Sequence, residues 1–161
     1  MIKKGGPKLT VNLRQQLQSE SQVEQFCTEL AATLEGEVRE GRKPAFDDFD
    51  LSQSVVPAEG FDEIFLQLSI AEASFERFKA FGCPAFDDVA VSKLAEFLSH
   101  MSSEAMPSEL HLSDCTITTE GFGALAKAIE DNKALPVRDP HSPSKTLPLY
   151  VRLEHNFIDE A

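Results

Sequence analysis

The chain repeats itself along its length, and this internal repetition limits the possible folds more than any other feature of the sequence. Residues 49–52, with the sequence FDLS, align without a gap on residues 110–113, with the sequence LHLS, and the tripeptide EGF at 59–61 recurs at 120–122. Three further copies match the same pattern less completely. The five copies lie near residues 9–36, 47–70, 76–101, 108–131 and 149–161.

Each copy begins with one periodicity and continues with another. It opens on two apolar residues separated by one other residue, as at Leu110 and Leu112, and this period is typical of a strand with one buried face. Apolar residues then recur at helical spacing, as at Phe61, Ile64 and Leu68. A strand-loop-helix unit of about 30 residues cannot bury both apolar faces alone, whereas stacked copies share one continuous core.

The pattern predicts an α/β fold with about five strands and four helices, because the fifth copy stops after its strand and turn. We expect a single domain over residues 9–161, preceded by an N-terminal tail at 1–8. Gly, Pro and charged residues accumulate without a period at 37–46 and 132–148, so both segments are expected to be inserted loops. In the second loop Ser142, which precedes a proline, is either a phosphorylation site or part of a plain turn.

The fourth copy, LHLSDCTITTEGFGALAKAI from Leu110 to Ile129, resembles a leucine-rich repeat of the ribonuclease-inhibitor type. The pattern of that family is L-x-L-x-x-(N/C)-x-(I/L), a short linker, and then G-x-x-x-L-x-x-x-L. Asn156 supplies the Asn variant in the fifth copy, whereas Ser54 and Gln16 stand where Asn or Cys is expected. The resemblance implies a short curved solenoid with parallel strands on its concave side and helices on its convex side. It also implies protein binding without catalysis.

In each strand, the residue between the two apolar positions points to the opposite face of the sheet. The central column of that face is predicted to be Asn12, Asp50, Lys79, His111 and Arg152. The flanking columns are predicted to be Thr10, Asp48, Arg77, Glu109 and Tyr150 on one side, and Arg14, Ser52, Phe81, Ser113 and Glu154 on the other. Partner-binding contacts are predicted at Asp50, Arg77, Lys79, Phe81, His111, Tyr150, Arg152 and Glu154.

Two aromatic residues are distinctive in these columns, because aromatic and Arg side chains are enriched at binding hot spots. Phe81 replaces the serine found at Ser52 and Ser113, and Tyr150 lies beside Arg152 in the last strand. We therefore interpret Phe81 as an aromatic anchor flanked by basic side chains. Two alternatives stay open: that Phe81 packs into the core, and that Tyr150 only covers the last strand.

The charge of the chain indicates the kind of partner. Fifteen basic and 27 acidic residues give a net charge of −12, which disfavours phosphate backbones and anionic membranes. We expect another protein with a basic surface as the partner, and neither direct nucleic-acid binding nor membrane binding. Because the strand columns are mixed in sign, most of the negative charge is expected on the helices. The helical carboxylates are Glu20, Glu24, Glu29, Glu59, Asp62, Glu63, Asp88, Glu96 and Glu120.

No catalytic residue, metal or cofactor is predicted. His111 and Ser113 share a strand face but lie about 7 Å apart, beyond the reach of a nucleophile and its base. The acidic run 47–50 lacks the spacing and the glycine of a calcium loop, so a solvated charge run is favoured over a calcium site. The thiols of Cys83 and Cys115 are interpreted as small buried groups that hydrogen-bond the turn backbone.

The three cysteines include no C-x-x-C pair, which indicates neither a disulfide framework nor a zinc knuckle. Together with the lack of an apolar leader, this predicts a reducing location, cytoplasmic or nuclear. The function indicated by the sequence is a non-catalytic protein-protein interaction module that binds through its concave face. Two alternatives stay open. The chain is a fragment or scaffold region of a larger multidomain protein, such as an RNA-processing one, or it forms a homodimer through the terminal strand at 149–153.

Overall fold

The computed structural model describes residues 1–159, which form an α/β fold with a mostly parallel sheet. Its four helices are α1 (Glu20–Arg39), α2 (Ala58–Ile70), α3 (Asp88–Ser99) and α4 (Thr119–Asp131). Its strands are β1 (Ile2–Gly5), β2 (Lys8–Asn12), β3 (Ala45–Asp50), β4 (Ser74–Phe75), β5 (Arg77–Lys79), β6 (Glu109–His111), β7 (Val137–Asp139), β8 (Ser142–Leu147) and β9 (Tyr150–Arg152).

The main sheet has the strand order β1-β2-β3-β5-β6-β9, and β4 pairs separately with β3. Strand β1 runs antiparallel to β2, and the remaining pairs of this sheet are parallel. One helix lies in the connection between each of the strands β2, β3, β5, β6 and β9, as parallel pairing requires. The register joins the positions that the repeat makes equivalent, from Val11 through Phe49, Phe78 and Leu110 to Val151.

One face of the sheet packs against the helices and builds a core rich in phenylalanine. The ring of Phe49 lies at the centre of this core, with four other rings at centroid distances of 5.0 to 6.4 Å, namely Phe26, Phe46, Phe75 and Phe78. All five side chains are at most 1% exposed. Burial of each ring contributes about 1.5–3 kcal/mol, so this cluster is a main source of stability for β2, β3 and β5.

Side chains at the helix N-termini determine where three of the helices begin. Ser19, Asp87 and Thr118 each accept a hydrogen bond from a backbone N–H in the first turn, at α1, α3 and α4 respectively. Helix α4 lies close to α3, because a Cβ atom at Gly121 would stand only 2.2 Å from Oδ1 of Asp88. The glycine of the repeat pattern therefore permits this close approach of neighbouring helices.

The nine strands exceed the expected number of about five, and the four additional strands lie outside the repeat pattern. Residues 1–8, expected as a tail, form β1 and the turn into β2, because Lys4 pairs with Glu37 of α1 and Ile2 packs against the core. The segment 132–148, expected as a loop without regular structure, contains the antiparallel hairpin of β7 and β8. The segment 37–46 includes the end of α1 and the start of β3.

The helices of residues 1–159 were also compared with the requirements of a bilayer. None of them combines the length and the apolar character that a membrane-crossing helix needs.

Candidate functional site

The face of the sheet that lies opposite the helices carries polar side chains, and we call it the open face. It consists of the outward side chains of β2, β3, β5, β6 and β9 together with the first residues after each strand. The register places the predicted central column in one row across the sheet, in the order Asn12, Asp50, Lys79, His111 and Arg152. In this row Asp50 is buried, Lys79 and His111 are half-buried, and the two end residues are exposed.

The same turn follows each of the five strands. One residue in each turn has a positive φ, between 54° and 65°, in the order Gln15, Gln53, Gly82, Asp114 and His155. Only one of the five is glycine, although left-handed backbone favours that residue. The sequence signal for this turn is therefore weak. The recurrence of the left-handed turn after each strand is seen only in the backbone angles.

A polar side chain directly after each of the last four left-handed residues joins its turn to the neighbouring repeat; three of these side chains are buried, and that of Asn156 is half-buried. Ser54 donates to the carbonyl of Leu13 at 3.1 Å, and Cys83 Sγ lies 3.2 Å from the carbonyl of Leu51. The corresponding bonds of the next two repeats run from Cys115 to Ala80 at 3.1 Å and from Asn156 to Leu112 at 2.8 Å. The structure thus confirms the hydrogen-bonding position of both cysteines.

The thiols in these positions are held in their protonated form. Burial raises the pKa of Cys83 to about 12 and that of Cys115 to about 11. Burial also raises the pKa of Cys27, on α1, to about 11. Because the thiolate is the reactive species, these environments suit structural cysteines. All three cysteines are free thiols.

The predicted basic residues Arg77 and Lys79 are paired within the chain. Nζ of Lys79 donates to Asp48 at 3.0 Å, and Nε of Arg77 lies 3.7 Å from the other oxygen of the same carboxylate. Asp50 accepts a hydrogen bond from the backbone N–H of Ser52 at 2.9 Å. Part of the acidic run at 47–50 therefore neutralises the basic side chains of β5.

Phe81, predicted to be an aromatic anchor, lies on the open face and outside the buried core. Its ring stacks on His111 with a centroid distance of 5.1 Å and an interplanar angle of 16°. Cζ of Arg14 lies 5.6 Å from the centroid of Phe81, on a strand two positions away in the sheet. A surface cavity of about 400 Å³ lies beside this ring, lined in part by Gln53 and Asp114.

His111 is half-buried under this stack. Burial lowers the pKa of its imidazole, and the positive charge of Arg152 lowers it further. The neutral ring is therefore favoured at neutral pH. Within residues 1–159, Nε2 of His111 has no hydrogen-bond partner although the atom is buried. A buried polar atom of this kind is satisfied when a partner or a water reaches it.

The last strand provides the exposed end of the open face. The side chain of Tyr150 is 64% exposed. Nε of Arg152 lies 3.5 Å from Glu154, whose other carboxylate oxygen accepts a hydrogen bond from Ser113. This hydrogen bond, more than any other contact, lowers the pKa of Glu154 to about 2.

The structure brings the eight predicted contacts onto one face, but it divides them into paired and available groups. Five are engaged with other groups of the chain, namely Asp50, Arg77, Lys79, Arg152 and Glu154, whereas Phe81, His111 and Tyr150 present ring surface. The sequence analysis missed the contacts of Arg14 and Asp48. Both stand in the predicted columns, but a column shows only that residues share a face and not which pairs form.

The described residues offer little for metal binding or nucleophilic catalysis. Among residues 1–159, His, Cys, Asp and Glu side chains form no group of three or more that could hold a metal ion. The hydroxyl of Ser113 donates to Glu154 and not to His111. His155 and Asp114 lie 3.0 Å apart at an exposed turn.

No protein-family model matches the chain, and no curated protein or solved structure shows significant similarity to it. The function is therefore inferred from the geometry of its own residues.

Proposed function

We propose that this chain is a short leucine-rich-repeat solenoid of the ribonuclease-inhibitor type and that it acts as a non-catalytic protein-protein interaction module. In this proposal the open face is the concave side and the helices form the convex side. One observation carries the proposal: the five strands align with their turns in register, so that the three columns of outward positions lie side by side on one face of the sheet. A continuous sheet face of this kind is the binding surface of repeat proteins.

The contact with the partner centres on Phe81. Its ring, the imidazole of His111 and the guanidinium of Arg14 form a preordered stack that loses little conformational entropy on binding. The buried Nε2 atom of His111 gains a hydrogen bond if the partner supplies one. Tyr150 and Arg152 add an exposed aromatic and a cation at the edge, both residue types that dominate binding energies.

The non-catalytic part of the proposal is supported by the engagement of the polar groups. The carboxylate that Ser113 contacts, Glu154, is a weak base because its pKa is lowered to about 2, and Asp48 is bonded to Lys79. The polar side chains of the open face are held in position by pairing with one another. A fixed pattern of charges suits shape and charge complementarity with another protein.

The proposal is tested with peptides that are selected from a random displayed library for binding to the whole protein. We expect selected peptides to lose about tenfold or more in affinity for Phe81→Ala, Tyr150→Ala and Arg152→Ala, because hot-spot truncations cost about 2 kcal/mol or more. Glu24→Ala, an exposed change on α1, is the matched control and should leave affinity unchanged. Circular dichroism confirms that each variant remains folded. Peptides insensitive to all three open-face changes would contradict the proposal.

A second candidate function is self-association through β9, and the exposure of its apolar groups favours it. The side chains of Tyr150 and Phe157 are 64% and 67% exposed, and β9 is the last strand in the order of the sheet. Edge strands carry unpaired backbone groups that pair readily with another chain. In this candidate, a second copy pairs with the β9 edge.

A further inference from the structure

A groove on the helical side of the molecule, away from the open face, is the strongest further feature. It lies between α2 and α3, extends over the residues that follow each helix, and has a volume of about 970 Å³. Its lining includes the apolar side chains of Phe65, Phe97 and Met101, which belong to the core and are at most 8% exposed. Leu66 also lines the groove and is 56% exposed. Exposed apolar surface framed by polar residues is typical of an interaction site.

The rim of this groove is acidic. Six carboxylates line it, against the two lysines Lys43 and Lys93. The carboxylates are Glu59, Asp62, Glu63, Glu72, Glu96 and Glu104. Lys43 pairs with Glu72 at 2.6 Å and Lys93 lies 3.8 Å from Asp62, so both lysines already have a partner. The other four carboxylates form no ion pair among residues 1–159.

The open face has no comparable excess of charge. Its three columns contain as many basic as acidic side chains, and several of these are paired with one another. The net charge of −12 therefore belongs to other surfaces, above all to the helices. The groove between α2 and α3 carries four carboxylates without an ion-pair partner, and this excess negative charge attracts a basic partner.

The walls of the groove determine the conformation of an occupant. Both walls are helices, whose backbone N–H and C=O groups bond within the helix. Ala45 and Ser74 are the only strand residues in this lining, so an extended peptide would find little strand backbone to pair with, whereas a helix satisfies its backbone internally. An amphipathic helix also places its apolar side chains on one stripe and its charged side chains beside it.

We propose that the groove between α2 and α3 binds a basic amphipathic helix of a partner protein. The apolar stripe of that helix packs on Leu66 and Phe97. Its lysine and arginine side chains lie against Glu59, Glu63 and Glu96. This site is separate from the open face and does not depend on the function proposed for it.

A synthetic amphipathic peptide tests the proposal, with leucines at helical spacing and lysines at the remaining positions. Its binding to the whole protein is measured by fluorescence anisotropy at low and physiological salt. We expect Glu59→Gln/Glu63→Gln/Glu96→Gln to weaken binding about tenfold or more, since each lost ion pair contributes up to about 1 kcal/mol. Leu66→Ser, a change at an exposed side chain, should weaken binding as well.

Two controls separate the groove from general attraction between opposite charges. The triple variant Glu24→Gln/Glu35→Gln/Glu130→Gln removes the same charge from exposed positions of α1 and α4. It should change affinity less than about twofold. A scrambled peptide of the same composition keeps the charge but loses the apolar stripe. It should bind more weakly, and its affinity should be the same for Leu66→Ser as for the parent protein.

The outcomes distinguish this proposal from the function of the open face. Equal losses for the two triple variants, or no effect of Leu66→Ser, would overturn the groove site and leave only diffuse electrostatic attraction. Phe81→Ala should leave the affinity for the peptide unchanged. A loss of affinity in Phe81→Ala would place the peptide on the open face, which overturns the groove proposal while leaving the interaction module intact.

Discussion

Three kinds of side chain make the same hydrogen bond at four successive turns. Ser54, Cys83, Cys115 and Asn156 each donate to a strand carbonyl of the preceding repeat. The donors differ in strength, because a thiol is a weak donor and an amide a strong one. What they share is small size and a donor group, so the position requires a compact polar group more than a particular residue.

The importance of this bond is testable at Ser54. Its hydroxyl also accepts a hydrogen bond from the backbone N–H of Leu17 at 3.4 Å, so Ser54→Ala leaves two buried backbone groups without this partner. We expect Ser54→Ala to lower the free energy of unfolding by about 1–3 kcal/mol. Ser54→Cys should lose less, because Cys83 and Cys115 fill the equivalent position in their own repeats. Urea unfolding measures both, and equal losses would mean that the thiol does not replace the hydroxyl at this turn.

Element by element, the sequence predicts the repeating part of the fold well. Three of the four helices lie inside their predicted copies, whereas α1 continues to Arg39, past the end of the first copy at residue 36. The five strands of the repeats pair through their equivalent positions. These elements have apolar residues at regular spacing, because each must bury one face. Strands β1 and β8 lack that signal. Their side chains are largely exposed, so their pairing depends on backbone hydrogen bonds and local contacts that leave no period in the sequence.

The N-terminal hairpin is joined to α1 by a cluster of charges at Glu37. The carboxylate of Glu37 accepts hydrogen bonds from Arg42 and from Lys4 of β1, both at 2.6 Å. These bonds, with that from Arg42 the larger effect, lower the pKa of Glu37 to about 2. The charged carboxylate therefore holds β1 against α1 over most of the pH range.

This cluster predicts a particular loss of stability in acid. A carboxyl whose pKa is lower in the folded state stabilises the fold above its unfolded pKa of about 4.3, and the effect disappears as the pH falls through about 2. Glu37→Gln should therefore be less stable than the parent at pH 7, with a difference that shrinks to nothing near pH 2. Thermal unfolding at several pH values measures this. Glu24→Gln on the exposed side of α1 is the control, and a difference independent of pH would contradict the assignment.

For the whole molecule, the sequence predicted which residues share the open face. It did not predict which of these side chains bond to one another and which stay exposed. The alternation of strand side chains determines the face, and that rule is local. The pairing of Lys79 with Asp48, and the stacking of Arg14 over Phe81, depend on side-chain reach between different strands. These contacts follow from three-dimensional geometry that a column of residues does not contain.

The solution mass tests self-association through β9. If two copies pair at this edge, light scattering should show a mass above 17.8 kDa that rises with protein concentration. The net charge of −12 on each copy opposes pairing, so added salt should favour the dimer. Phe157→Ser should suppress it, while Val55→Ser, an exposed apolar change elsewhere, should not. A mass of 17.8 kDa at every concentration and salt would exclude this second candidate.

The chain of turn hydrogen bonds joins each repeat only to its immediate neighbours. A stretch from one left-handed turn to the next therefore forms a unit, here called a cassette, with one donor at its own turn and one acceptor carbonyl directly after its strand. Gene duplication of such a cassette would lengthen the sheet without disturbing the packing on either side. The number of repeats is then free to vary during evolution, while the turn chemistry stays fixed.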